Sequence, residues 1–96
     1  MHITQEADYA VRIVFCLSRG GGRLDARTIS EEMGVTLRFS LKILHKLTGA
    51  GVVKSFKGTR GGYELAQPAS KTTLRQVIEA VDGPAAISRC IGDGGE

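Results

Sequence analysis

Residues 34–63, GVTLRFSLKILHKLTGAGVVKSFKGTRGGY, decide the fold. Thr36 is a good N-cap, because its hydroxyl can accept a backbone N–H that the first helical turn leaves without a partner. The helix it opens is predicted over 37–50, with Leu37, Leu41, Leu44 and Leu47 as a buried stripe and Ile43 alongside. Arg38, Lys42, His45 and Lys46 fall on its other faces. Gly51 stands where a helix-ending glycine belongs. Residues 52–56, VVKSF, have the β-branched content of a strand, and 57–62, KGTRGG, form a turn-rich loop. Residues 63–65 return as a second strand with Glu64 outward. A helix followed at once by a hairpin is the centre of this chain.

The flanks agree with that centre. Thr4 caps a first helix over 5–19, with Ala7, Ala10, Val11, Val14 and Leu17 at helical spacing. Ile13 and Phe15 widen that apolar face, which predicts a well-buried helix. Gly20, Gly21 and Gly22 end it, and Asp25 caps a short helix over 26–33 that turns Ile29 and Met33 inward. Met33-Gly34-Val35-Thr36 is a tight turn of the length found between steeply crossing helices. A fourth helix is predicted over 74–81, capped by Thr72 or Thr73 and ended by Asp82-Gly83-Pro84. This order is that of a winged helix-turn-helix: mainly α with a small β-hairpin. It occupies residues 1–84, and 85–96 form a Gly-rich tail without a clear period.

Charge points to a partner. Residues 34–63 hold six Lys or Arg (Arg38, Lys42, Lys46, Lys54, Lys57, Arg60) and no Asp or Glu, whereas the other residues hold seven against ten. A positive helix beside a positive hairpin is an electrostatic footprint for a polyanion, here double-stranded DNA. The helix after the turn is expected in the major groove, with Thr36, Arg38, Phe39 and Lys42 near base edges. Arg38 can pair with guanine or hold a phosphate, and Phe39 can meet a thymine methyl or pack in the core. Lys42 and Lys46 are one turn apart and are expected to track phosphates. In the hairpin loop, Lys57 and Arg60 supply charge, while glycines such as Gly61 let the backbone approach a partner. Thr4 and Ser55 are further expected contacts to the DNA backbone.

Other classes find less support. The hairpin glycines join strand to strand and no GK[ST] follows, which is the wrong context for a nucleotide loop. His2 and His45 have no evident nucleophile and acid partner, so no enzyme is expected. No apolar run approaches the ~20 residues needed to cross a bilayer, and no secretory signal opens the chain, so the expectation is a cytoplasmic protein without membrane contact. Cys16 sits between Phe15 and Leu17 and reads as core; Cys90 reads as an accessible thiol, a redox sensor or one metal ligand. A winged helix used only to bind proteins is the alternative reading, since fold does not fix function.

The chain resembles the Rrf-type family of bacterial winged-helix regulators, of the IscR/NsrR-like type. The residues that carry the resemblance are Ile3-Thr4, Ala7-Asp8-Tyr9-Ala10-Val11, Ile29-Ser30-Glu31 and Gly34-Val35. It is strongest from Lys42-Ile43-Leu44 through Ala50-Gly51-Val52-Val53 to Gly61-Gly62-Tyr63-Glu64-Leu65-Ala66, and extends over Val77-Ile78-Glu79-Ala80-Val81 as far as Cys90. The resemblance implies a dimeric transcription regulator, a repressor by expectation, on a partly palindromic operator. It implies responses to iron–sulfur, nitric oxide, redox or cysteine status without selecting among them. Many such relatives hold an iron–sulfur cluster through three Cys, of which Cys90 matches the first; in some an acidic residue of the first helix completes the set, and Asp8 lies in that region. The tail would then begin a cluster or effector loop. With the second and third Cys and the long dimer helix absent from residues 1–96, no cofactor is expected in this chain as it stands, a cluster is expected only in a longer form, and a trimmed DNA-binding domain is the favoured reading. Ser40-Leu41 reverses the apolar-then-polar order of many relatives.

Overall fold

A computed structural model describes residues 4–20 and 22–83. The order is α1 (Gln5–Gly20), α2 (Ala26–Met33), α3 (Leu37–Gly49), β1 (Val53–Phe56), β2 (Gly62–Leu65), a 3-10 turn (Ala69–Lys71) and α4 (Leu74–Asp82). The tail and Cys90 lie outside the described residues.

Local chemistry sets the helix ends. Thr4 Oγ1 accepts from the Ala7 N–H at 3.1 Å, Asp25 from Thr28 at 2.7 Å and Thr36 from Phe39 at 3.1 Å. Thr73 and Gln76 exchange both bonds of a capping box at 2.9 and 3.1 Å, which fixes the start of α4 at the second of the two candidate threonines. Gly34 ends α2 at φ 70°, a left-handed conformation that glycine enters without a Cβ clash. The Val52 N–H bonds back to the Leu47 carbonyl at 3.0 Å, so Val52 closes α3 and β1 begins one residue later than its β-branched pair predicts.

One core joins all four helices and the base of the hairpin. Ala10, Ile13 and Leu17 of α1, Ile29 of α2, Ile43, Leu44 and Leu47 of α3, Val52, Val53 and α4's Val77 and Val81 are buried in it. At ~25 cal/mol per Å² of apolar surface removed from water, this cluster is the main term opposing chain entropy in so short a chain. The predicted stripe of α3 needs correction. Leu37 and Leu41 are 39% and 37% exposed, and Ser40 is fully buried instead. At 100° per residue Leu37 and Leu41 stand about 80° and 120° round the helix from Leu47, so the first two members of the row lie off the core face. The set Ser40, Ile43, Leu44, Leu47 keeps to one face. Phe15 is likewise corrected: it is 60% exposed, one side of its ring covered by Arg19 at 5.4 Å.

The two strands pair antiparallel, Val53 opposite Leu65 and Phe56 opposite Gly62. Leu24, in the connection between α1 and α2, bridges to Tyr63 through bonds of 3.0 and 2.8 Å. The wing is thereby fastened to the helix-turn-helix through β2, which lies between β1 and Leu24.

Candidate nucleic-acid interface

The outer face of α3 is built by what its inner face buries. With Ile43, Leu44 and Leu47 in the core, Arg38, Leu41, Lys42 and His45 stand exposed along the opposite side. Beside them runs a cleft of about 440 Å³, lined by His45, Thr48, Ser55, Phe56, Lys57 and Tyr63, between α3 and the wing. Recognition-type helix and wing therefore share one continuous surface. His45, placed by its sequence only on a basic helix, lies at the junction. Leu41's exposure had a signal in the reversed Ser40-Leu41 order, which became interpretable only once the buried face was known.

Four of the six cations, Arg38, Lys54, Lys57 and Arg60, make no ion pair among the described residues. Lys42 and Lys46 do: Glu6 of α1 takes the Lys46 ammonium at 2.9 Å and the Lys42 ammonium at 3.3 Å. Lys46 also reaches the Val81 carbonyl at the end of α4, at 3.5 Å. The Lys46 ammonium, donating to Glu6, holds that carboxyl below its ordinary range; partial burial opposes this and Lys42 adds to it. No sequence signal pointed to Glu6, because tertiary packing alone brings α1's first turn against α3.

Several candidate residues make contacts within the molecule. The Phe39 ring is half-buried and stands edge-on to Tyr9 at 5.3 Å, so it props α3 against α1 rather than standing free on the outer face. Thr4 caps α1 and donates to the Asp82 carboxylate at 2.7 Å. Thr36 is exposed, with its hydroxyl accepting the Phe39 N–H. A Cβ on Gly61 would stand 2.5 Å from the Phe56 carbonyl oxygen and 2.9 Å from that of Gly58. The hairpin itself therefore demands glycine there. Ser55, Lys57 and Arg60 are exposed on the wing.

Among the described residues, His, Cys, Asp and Glu do not assemble a metal site. Asp8 pairs with Arg12 at 3.2 Å, and no group of three or more His, Cys, Asp or Glu comes together among the described residues. Cys16 is 4% exposed and its thiol donates to Glu32 at 3.6 Å. Burial, and then Glu32, push the thiol's pKa up, which keeps it a protonated core group. No helix of the described residues is long and apolar enough to cross a membrane.

Comparison with known proteins agrees with this geometry. A family model, Rrf2, described as an iron-dependent transcriptional regulator, matches residues 3–96. Protein aau3 of Rhizobium meliloti is 35% identical over 95 residues, covering 98% of this chain and 62% of the relative. The HTH-type transcriptional regulator IscR of Escherichia coli is 34% identical over 97 residues, covering 99% of this chain and 60% of IscR. This chain thus spans about three fifths of the length of those relatives. Among solved structures, CymR, the global cysteine regulator of B. subtilis, superposes with a TM-score of 0.81 at 26% identity, over 88% of this chain and 67% of CymR. With its helix order, its wing and a match from residue 3 to residue 96, the chain belongs to the Rrf2 family of transcriptional regulators.

Proposed function

We propose that this chain is the DNA-reading part of a sequence-specific transcription regulator, working in the cytoplasm on double-stranded DNA. One observation carries the reading: the exposed face of α3 and the wing adjoin each other and hold cations with no acidic residue between Gly34 and Tyr63. In this reading α3 enters the major groove. Arg38 supplies paired donors for a guanine edge, and Leu41 an apolar contact for a thymine methyl. Thr36 and Phe39 act by fixing the start of α3, and Lys42 and Lys46 reach phosphates by exchanging the Glu6 carboxylate for a phosphate oxygen. Lys57, Arg60 and Ser55 hold the flanking backbone, with Gly61 setting the turn that presents them and Thr4 tying the start of α1 to the end of α4.

The complete regulator, in the same reading, is a homodimer on a partly palindromic operator, acting as a repressor. Its longer form takes an iron–sulfur cluster, with Cys90 and Asp8 as candidate ligands, or answers to nitric oxide, redox or cysteine status. The names IscR and global cysteine regulator carried by relatives support that range.

Selection of genomic fragments by the purified chain near physiological salt, followed by an affinity-against-salt titration on the enriched sequence, tests this. The expected result is a two-fold-related motif whose log affinity falls with log salt by about 0.9 per neutralised phosphate. An unenriched pool with a flat salt response overturns the proposal.

A further inference from the structure

Arg23 lies in the connection between α1 and α2, outside every element assigned to DNA above. Its side chain nonetheless meets the wing at three points. The guanidinium carbon lies 3.5 Å from the centroid of the Phe56 ring, at the end of β1. Its Nη1 donates to the Arg60 carbonyl at 3.2 Å, in the wing loop. Its Nε lies 3.7 Å from the Glu64 carboxylate, on β2. These contacts span both strands and the loop between them. The adjacent Leu24–Tyr63 bridge fastens β2 from the same connection. A planar guanidinium can stack and donate along several directions at once, whereas an ammonium is a compact point charge.

We propose that Arg23 is a positioning residue that fixes the wing loop at the angle from which Lys57 and Arg60 grip DNA. The proposal rests on the DNA reading above. Unbraced, the loop between Phe56 and Gly62 would keep, among the described residues, strand pairing and the Leu24–Tyr63 bridge at its base and, within itself, the Gly61 N–H to Gly58 carbonyl bond of 2.9 Å. Loss of the brace leaves Lys57 and Arg60 in place but makes binding order the loop first, which weakens affinity without removing a phosphate contact.

The test compares Arg23→Gln, Arg23→Lys and Arg60→Ala in the 96-residue chain. One readout is anisotropy of a labelled mixed-sequence duplex roughly two helical turns long across a salt series. The other is amide exchange at Gly61 and Tyr63. Bracing predicts that both Arg23 variants bind roughly three- to tenfold more weakly with the wild-type salt slope, whereas Arg60→Ala lowers the slope by about one. It also predicts faster exchange at Gly61 and Tyr63, with the amides of α3 unchanged. If Arg23→Lys binds as wild type while Arg23→Gln lowers the slope by about one, Arg23 is a phosphate contact and the bracing is wrong. Wild-type exchange at the wing in both variants also overturns it. If the wild-type chain fails to bind the duplex, the DNA reading fails, and the exchange data still decide whether Arg23 braces the wing.

Discussion

The recognition-type helix and the wing are both net positive but are held by different physics. α3 is seated by three fully buried aliphatic side chains, Ile43, Leu44 and Leu47. The wing places one buried aliphatic side chain in the core, Val53, with Tyr63 and Leu65 partly buried beside it; its loop is held by glycine geometry, one bridge to Leu24 and one arginine. A helix set by burial is fixed together with the whole domain. A loop set by a few polar contacts can be disturbed alone. Substitutions should therefore separate the two regions cleanly.

The largest expected effect is on the helix side. Leu44→Ala should lower stability by about 2–5 kcal/mol through lost transfer energy and a cavity, and urea unfolding should show helix and wing signals moving together. A wing that unfolded while α3 stayed native would break the comparison. Gly61→Ala is the wing counterpart. The backbone oxygens it meets cannot yield as a side chain could, so a loss of about 1–3 kcal/mol is expected, with amide shifts confined to the wing and Leu24.

Glu6→Gln sharpens the contrast in the other direction, since Glu6 touches only the helix lysines. At low salt it should tighten duplex binding by roughly three- to tenfold while leaving the wing's exchange pattern unchanged. Unchanged affinity would mean that Lys42 and Lys46 do not meet DNA. The same carboxylate gives a pH dependence. Its folded-state pKa lies below the ordinary 4.5, so its stabilising share is present above that value and is lost as pH falls through the lowered one. Glu6→Gln should flatten acid unfolding in that window.

Thr36→Ala removes the cap of α3 and should cost about 1 kcal/mol, read as faster exchange at Phe39. The smallest effect is at Ser40, whose buried hydroxyl has no hydrogen-bond partner among the described residues. Ser40→Ala should change stability by less than about 1 kcal/mol, neutral or favourable in sign, because it removes a desolvated group that makes no bond. A clear loss would reveal a partner for that hydroxyl.

The sequence made much of this legible. Capping threonines and Asp25, the Gly34 turn and the order of helices and strands follow from local rules, and the structure places each within a residue or two of its expected position. The charge contrast of residues 34–63 marked the surface before any coordinates. What stayed hidden is tertiary. A leucine row spaced by four, three and three residues did not reveal that its first members leave the core. Ser40 looked polar and is buried, Phe39 read equally as a DNA contact or as packing and stands against Tyr9 of α1, and Thr4 turned to Asp82. Glu6 and Arg23 belong to segments far from 34–63 in sequence, and only folding brings them onto α3 and the wing.

The central claim is that one face, α3 with the wing, meets duplex DNA. Amide chemical-shift mapping of the chain during titration with a duplex tests it most directly. The account predicts shifts concentrated at Arg38, Leu41, Lys42, His45, Lys57 and Arg60, fading as salt rises. Shifts confined to the opposite surface around Phe15 and Leu74, or none at all, would contradict it.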